Sequence, residues 1–542
     1  MSKPVTQGGP ARKAAATPPP DPGVLLQEAI RQHQSGALEM AADLYRRVLD
    51  QQPRNTDALH LLGLVLHQCG DPKAALPLIR QAIRLNGTVA AYHNSLGAVL
   101  LACDMTENAA AAFRQAIRLA PGYAEAHNNL GNAAQKLGWL AEAVECYQRA
   151  VAARPDYADP YSNLSVALRA LGRLREAEAA ARQALTLKPD YASAHANLGI
   201  ILHDQSRYDE ALTCYETALS ADPGHAEAHV NRAVQLLQLG RLEEAWPDYE
   251  WRWQMQGFTT PKRPFAQPAW DGGNLNGRIL LLHAEQGLGS AIQFVRYAPG
   301  VAANGGRLVL ECQRPLARLF RHSLGAPRGP VASVIVKGET LPAFDVHLPL
   351  MSLPQRFATS LASIPADVPY LAADADAVAA WRERLKGRPR PRIGLAWAGN
   401  PNHLNDRNRS MPARAFIPLI NRAAGSFFSL QVGPGASAQL KDLPATVVDL
   451  TFELADFLDT AALIQALDLV ISVDTAVAHL AGALAKPVWL LLPFVPEWRW
   501  LLDRDDCPWY PTMRLFRQSA PGDWAGVIER LADALTAAIS GP

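Results

Sequence analysis

A period of 34 residues runs through the first half of the chain, and few folds can accommodate it. Between residue 22 and about residue 256 three columns of residues keep this spacing without slipping. The first column reads Gly63, Gly97, Gly131, Ser165, Gly199, Ala233. The second reads Ala41, Ala75, Ala109, Ala143, Ala177, Ala211, Ala245. The third reads Pro53, Gly87, Pro121, Pro155, Pro189, Pro223. Small residues at fixed places let two helices cross closely. Proline cannot continue a helix interior, so its column closes each unit. A repeat this long is one supersecondary unit that buries its apolar face only against its neighbours.

The three columns resemble the tetratricopeptide repeat over about seven units, residues 22–257. That resemblance implies a right-handed α-helical superhelix with a concave inner face. A fourth column, Asn129, Asn163, Asn197 and Asn231, precedes the small residue of the first column by two positions. The resemblance places this face of each first helix on the groove. A row of amides there can hold a peptide backbone with little regard for its sequence, as in the asparagine ladder of O-GlcNAc transferases. The plainer alternative is that the amides only solvate the groove.

Past "YEWRWQMQ" the period vanishes, and the proline-rich stretch "TTPKRPFAQPAWDGG" marks a joint, residues 258–274. Short apolar runs then alternate with helical patterns. They are "RILLLHAE", "RLVLEC", "VASVIVKG" and "DVHLPL", then, beyond "KGRPRPR", "RIGLAWAGN", "SFFSLQVG", "TVVDL", "LDLVISVD" and "PVWLLLP". Apolar strands spaced by helices imply parallel sheets covered on both faces. Two Rossmann-like domains are expected, residues 275–385 and 390–542, with ligands bound beyond the strand C-terminal ends.

The clearest strand end is "LDLVISVDTAVAHLAGALAKPVWLLLP". Its strand stops at Val473, Asp474 and Thr475 form the turn, and a small-residue helix starts near Ala476. A helix start offers free N–H groups and partial positive charge, which suits a diphosphate. Thr475 and His479 are four apart and share a face. The competing reading makes Asp474 a simple cap and His479 a core-edge histidine. The loop "WAGNPNHLNDRNRSMP" carries Arg407 and Arg409, whose guanidinium forks match phosphate oxygens. Gln431 follows another strand, where a base or ribose contact fits.

These residues resemble the heptosyltransferase family of GT-B glycosyltransferases (glycosyltransferase family 9-like) over residues 275 to 540. "DTAVAHLAGALAKPVWLL" is similar to that family's sugar-nucleotide segment, and "EQGLGSAIQFVRY", residues 285–297, is similar to its first strand–turn–helix. The resemblance implies a GT-B-like α/β module and a nucleotide-sugar substrate held by Arg409, Gln431, Asp474, Thr475, Ala476 and His479. It implies inverting transfer with no metal and no bound cofactor. The family's pattern has an aspartate, taken as the general base, where this chain has Ser290. A serine hydroxyl has no useful basicity near neutral pH, but it can cap a helix as aspartate does. Three readings follow. Glu285, at the end of the strand, serves as base; the acceptor is activated in another way; or the module binds a nucleotide-sugar and transfers nothing. The last makes the chain a protein-interaction scaffold. A transferase acting on a glycan or lipid precursor, docked by the repeats, is a further possibility.

Composition limits the partners. A net charge of +1 in 542 residues gives no broad basic face for nucleic acid. The six cysteines lie far apart, so neither a zinc site nor a disulfide framework is expected, and reduced thiols in a cytoplasm are. Residues 1–21 have no apolar core segment and read as a disordered lead-in rather than a signal peptide. The most apolar run, at 475–494, is broken by His479, Lys486 and Pro487, against a membrane span. Trp498, Trp500 and Trp509 are expected to pack domains together, and the last helix to close the fold.

Overall fold

The computed structural model describes residues 21–403 and 405–540. The expected lead-in at 1–21 lies outside them except for Asp21, whose carboxylate accepts from the N–H of Gly23 and caps the first helix. By its internal contacts the chain forms two compact units, one ending at Ile201 and one beginning at Leu202. The fold class is α-helical tandem repeats followed by parallel-sheet α/β structure. Among the described residues no helix is long and apolar enough to cross a membrane, and no disulfide joins the cysteines.

In the first unit, helices of 13 and 14 residues alternate, beginning with Pro22–Gln34 and Leu38–Gln51. The small-residue column has a direct cause. A Cβ on Gly63 would lie 2.6 Å from Ile79, on Gly97 2.4 Å from Phe113, and on Gly131 2.5 Å from Tyr147. Each bulky partner sits sixteen residues on, in the second helix of the same hairpin, so the first helix must be bare there for the pair to close. The alanine column is fully buried at Ala41, Ala75, Ala109, Ala143 and Ala177. Histidines at one repeat position tie three of the turns: His93, His127 and His195 reach the carbonyls of Gly87, Pro121 and Pro189 at 3.0, 2.8 and 2.9 Å.

The second unit begins in the last turn of a repeat helix and retains three more helices of the first-half pattern, Tyr208–Ala221, Ala226–Gln238 and Leu242–Tyr249. A 3-10 turn, Glu250–Gln254, follows. Then come four strands: β1 (Ile279–His283), β2 (Arg307–Cys312), β3 (Val331–Val336) and β4 (Val346–Pro349). They form one parallel sheet in the order β3-β2-β1-β4. Residues 268–270, inside the expected linker, run along β4: the Trp270 N–H donates to the His347 carbonyl at 2.9 Å, and the Trp270 ring is buried.

Six further strands make a second parallel sheet: β5 (Arg392–Ala396), β6 (Ser426–Ser429), β7 (Val447–Asp449), β8 (Leu469–Val473), β9 (Val488–Leu492) and β10 (Met513–Arg517). Their order is β10-β9-β8-β5-β6-β7. Alternate residues feed opposite cores. Ile393, Leu395, Ile471 and Val473 pack with Ile528, Leu531 and Leu535 of the last helix, Trp524–Ser540. Phe428, Val470, Leu490 and Leu492 pack on the other face with Leu463 and Leu480. β10 is a strand that the sequence pattern does not mark. It is an edge strand, and Arg514 and Arg517 interrupt its apolar run.

The last repeat is joined to the first sheet by a buried ion pair. Arg252 Nη2 and Nε meet the two oxygens of Glu285 at 2.9 and 3.2 Å, and both residues are 1% exposed. The same guanidinium donates to Ser352 Oγ and to Glu250. Removing one member of such a pair leaves the other charge buried without a partner, which costs about 3–5 kcal/mol. Arg252→Ala is therefore expected to lose about that much stability, read as a fall in the urea midpoint at unchanged slope.

Candidate functional site

Two strand ends converge within the second unit. β1 runs into a turn and the helix Leu288–Phe294; β8 runs into a turn and the helix Ala476–Ala483. The two helices touch at Gly289, where a Cβ would fall 2.8 Å from Cδ2 of His479. Glycine in the "QGLGS" turn is thus required by the approach of His479. The helix of this turn starts one residue after its cap Gly287, which places Ser290 at the third helical position. This corrects the expectation that Ser290 caps the helix. Its hydroxyl instead accepts from Arg499 Nη2 at 3.1 Å.

His479 is 5% exposed. Its Nδ1 lies 2.9 Å from the Tyr510 hydroxyl, and the Tyr370 hydroxyl, which donates to the Ile292 carbonyl at 3.1 Å, stands 3.4 Å from the same oxygen. Burial, then Arg499, Arg296 and Arg409, hold the imidazole well below its usual pKa, so it is neutral at physiological pH. Nε2 is 3.9 Å from Asp474 Oδ1, beyond a hydrogen bond. Trp500 lies over the ring at 5.2 Å.

The helix after β8 is capped at Thr475, not Asp474, and no side chain caps it. The Thr475 hydroxyl is 3.1 Å from Ser472 Oγ. Ser472 gives its own proton to the Val473 carbonyl at 2.7 Å, so Thr475 is the donor between them. The first backbone N–H groups, from Ala476 on, thus meet no side-chain acceptor. Arg409 closes another side. Its Nη2 would stand 2.6 Å from a Cβ on Gly399, and its Nε is 3.3 Å from Asp406 Oδ1.

Two expected site residues are occupied elsewhere. Gln431 Oε1 accepts from the N–H groups of Trp397 and Ala398 at 3.0 and 2.9 Å, and its Nε2 donates to the Ala398 carbonyl at 2.9 Å. It clamps the end of β5 to β6. Glu285 is the buried partner of Arg252 and also accepts from the Met351 N–H at 3.2 Å. Burial pushes its carboxyl up while Arg252 pulls it down. A proton acceptor must be reached by the acceptor molecule, and Glu285 is not.

Sequence reasoning passed over Arg499 and Glu497, which lie in an aromatic run. Arg499 binds Glu497 through Nη1 and stacks on Trp498 at 4.5 Å. Glu497 also caps its own 3-10 turn, accepting the Arg499 N–H at 3.0 Å. Loss of surrounding water pushes its carboxyl up to about 7, with Arg499 pulling it down and Asp474 pushing it the same way as burial. Trp498, Trp500 and Trp509 are buried packing residues, as expected. Among the described residues no group of three or more His, Cys, Asp or Glu could hold a metal ion.

In the repeats the asparagine column joins neighbours. Asn129 donates to Asn94, Asn163 to Asn128, and Asn197 to Ser162, each at 3.0 Å. Each of these bonds uses one N–H, and Asn163 also donates to Asn132 at 3.1 Å. Asn231 is half-buried in the helix Ala226–Gln238 of the second unit.

Residues 26–90, 122–190 and 204–250 match tetratricopeptide-repeat family models. Residues 440–491 match glycosyltransferase family 9 (heptosyltransferase). The chain carries tetratricopeptide repeats and a segment similar to glycosyltransferase family 9. That segment runs from before β7 to within β9 and contains Asp474, Thr475, Ala476 and His479. Protein FlbA of Caulobacter vibrioides is 27% identical over 313 residues, which are 54% of this chain. The chain spans about half the length of that relative, 52%. Among solved structures, MamA is 25% identical and covers 30% of this chain and 94% of its own, with a TM-score of 0.28. YrrB, a TPR protein with an unusual peptide-binding site, is 21% identical over 34% of this chain and 96% of its own, with a TM-score of 0.30. PilF of Pseudomonas aeruginosa is 19% identical over 39% and 96%, with a TM-score of 0.36.

Gln431→Ala tests the clamp. It strands two backbone N–H groups and is expected to lower stability without any ligand, by about 1–3 kcal/mol in chemical denaturation. A residue that only awaits a ligand would show no such loss.

Proposed function

We propose that the chain is a glycosyltransferase. It takes a sugar from a nucleotide-sugar bound at the end of β8 and passes it, with inversion and without a metal, to an acceptor recruited by the repeats. One observation carries this reading: an uncapped helix start, a neutral histidine bordering the turn, and Arg409 share one strand-end site. Each supplies hydrogen-bond donors or positive charge suited to a diphosphate, and none has a carboxylate held against it as a close ion pair except Arg409, through Asp406. The family 9 match over residues 440–491 supports the same assignment. Asp474 borders this site. The GT-B arrangement, with the donor on the six-stranded sheet and the acceptor facing the four-stranded one, agrees with the meeting of Gly289 and His479.

For the repeats we propose peptide capture. Among the described residues no hydrogen bond ends on the amide oxygens of Asn129, Asn163 and Asn197, and a peptide N–H can meet them. A protein partner fits this groove better than nucleic acid, given the near-neutral charge.

The test is a thermal-shift screen of the full chain against UDP-, GDP- and ADP-sugars. A ligand at 100 times its Kd adds about 2.7 kcal/mol of stability. One nucleotide class is expected to raise the melting temperature, and His479→Ala and Arg409→Ala are expected to remove the shift. No shift with any class leaves the scaffold reading in its place.

A further inference from the structure

The turn that follows β1 offers a hydroxyl, Ser290, where proton removal from an acceptor calls for a base. Four carboxylates at the strand ends and turns of this unit are candidates, and their surroundings differ. Glu285 is sealed under Arg252. Asp406 is held by Arg409 Nε and by Ser410 Oγ at 2.8 Å, with 16% of its side chain exposed. Asp474 keeps 10% of its side-chain surface. Glu497 keeps 30%. It is also the carboxylate wired to the β1 turn, because the Arg499 guanidinium that binds it through Nη1 holds Ser290 Oγ through Nη2. Gln293, on the same helix as Ser290, accepts from Arg499 Nε and fixes the fork between the two.

Resting on the transferase reading above, we propose that Glu497 is the catalytic base, standing in for the carboxylate absent at Ser290. The acceptor hydroxyl gives its proton to Glu497 Oε as its oxygen bonds the anomeric carbon. The bond from that carbon to the diphosphate oxygen breaks, and the nucleoside diphosphate leaves with the electron pair. Arg499 holds the carboxylate at the mouth of the β1 turn, and the Ser290 hydroxyl, which accepts from Arg499, keeps its own proton to donate to the acceptor oxygen. The groups facing Glu497 are Arg499 on its own turn, Asp474 from the end of β8 and Tyr249 from the last repeat helix.

The test uses the full chain and the nucleotide-sugars of the thermal-shift screen, with water as the acceptor. Release of nucleoside diphosphate is measured for the wild type, Glu497→Gln, Glu497→Asp and the double variant Glu497→Gln/Ser290→Asp. Glu497→Gln is expected to keep the nucleotide-induced melting shift and to lose about 10²–10⁴-fold in release rate. Glu497→Asp is expected to retain part of the rate. The double variant is expected to regain part of it, which a merely structural loss would not allow. The wild-type rate should fall as pH drops through about 7, because a base works only when deprotonated. Glu497→Gln at the wild-type rate overturns the base while leaving the transferase reading intact. Should Glu497→Gln fail to fold, a folded Glu497→Asp that releases diphosphate at the full wild-type rate overturns it instead. Wild-type chain that neither shifts nor releases diphosphate with any donor overturns both.

Discussion

The contact between Arg252 and Glu285 fixes where the repeats stop and the sheets begin. An arginine and a glutamate at 1% exposure are each costly to desolvate. The cost is offset only because every donor and acceptor in the group is used. Arg252 serves Glu285, Glu250, Ser352 and the Tyr249 carbonyl, and Glu285 takes the Met351 N–H as well. The pair therefore sets the register between the 3-10 turn after the last repeat helix and the end of β1. Other contacts repeat the theme. Gln238 donates to the Pro496 carbonyl at 3.0 Å, Trp246 Nε1 to the Thr359 carbonyl at 2.8 Å, and Trp498 packs edge-on against Trp246 and Tyr249. Both turns that hold candidate site residues, 284–290 and 493–499, thus rest on the last repeat. This explains why Leu202–Pro542, and not the α/β part alone, is the compact unit.

The repeats and nine strands were legible in the sequence because their signals are local and redundant. Gly63, Gly97 and Gly131 recur because Ile79, Phe113 and Tyr147 recur. Parallel strands buried on both faces leave unbroken apolar runs. β10 was not legible: an edge strand needs only one buried side, and its arginines hide it. His93, His127 and His195 follow the same period and were open to discovery, since each ring reaches a carbonyl six residues back.

The candidate site was legible only in part, and the division is physical. Asp474, Thr475 and His479 lie together along one strand–turn–helix, so spacing alone places them. Gln431 and Glu285 were expected at strand ends and are there, but position at a strand end does not say what a side chain meets. Gln431 finds two backbone N–H groups, and Glu285 finds an arginine 33 residues upstream. The partnership of Glu497, Arg499 and Ser290 spans 209 residues between Arg499 and Ser290. No periodicity reports a pairing of that kind.

Ser290 itself can be understood from its neighbours. A carboxylate at that position would sit beside Arg499, whose guanidinium already neutralises Glu497. Two carboxylates sharing one cation in a water-poor cleft repel each other, and one of them is driven toward its protonated form. The chain carries one carboxylate and one hydroxyl on the two ends of that guanidinium. The hydroxyl accepts a hydrogen bond without adding charge, and it lets the carboxylate on the other end keep the arginine as its partner. With Gly289 leaving room for His479, the two turns close on each other with Glu497, Asp474, Arg499 and one neutral imidazole between them. In that arrangement the position of the charge is set by Arg499 and not by the residue at the end of the glycine-rich turn.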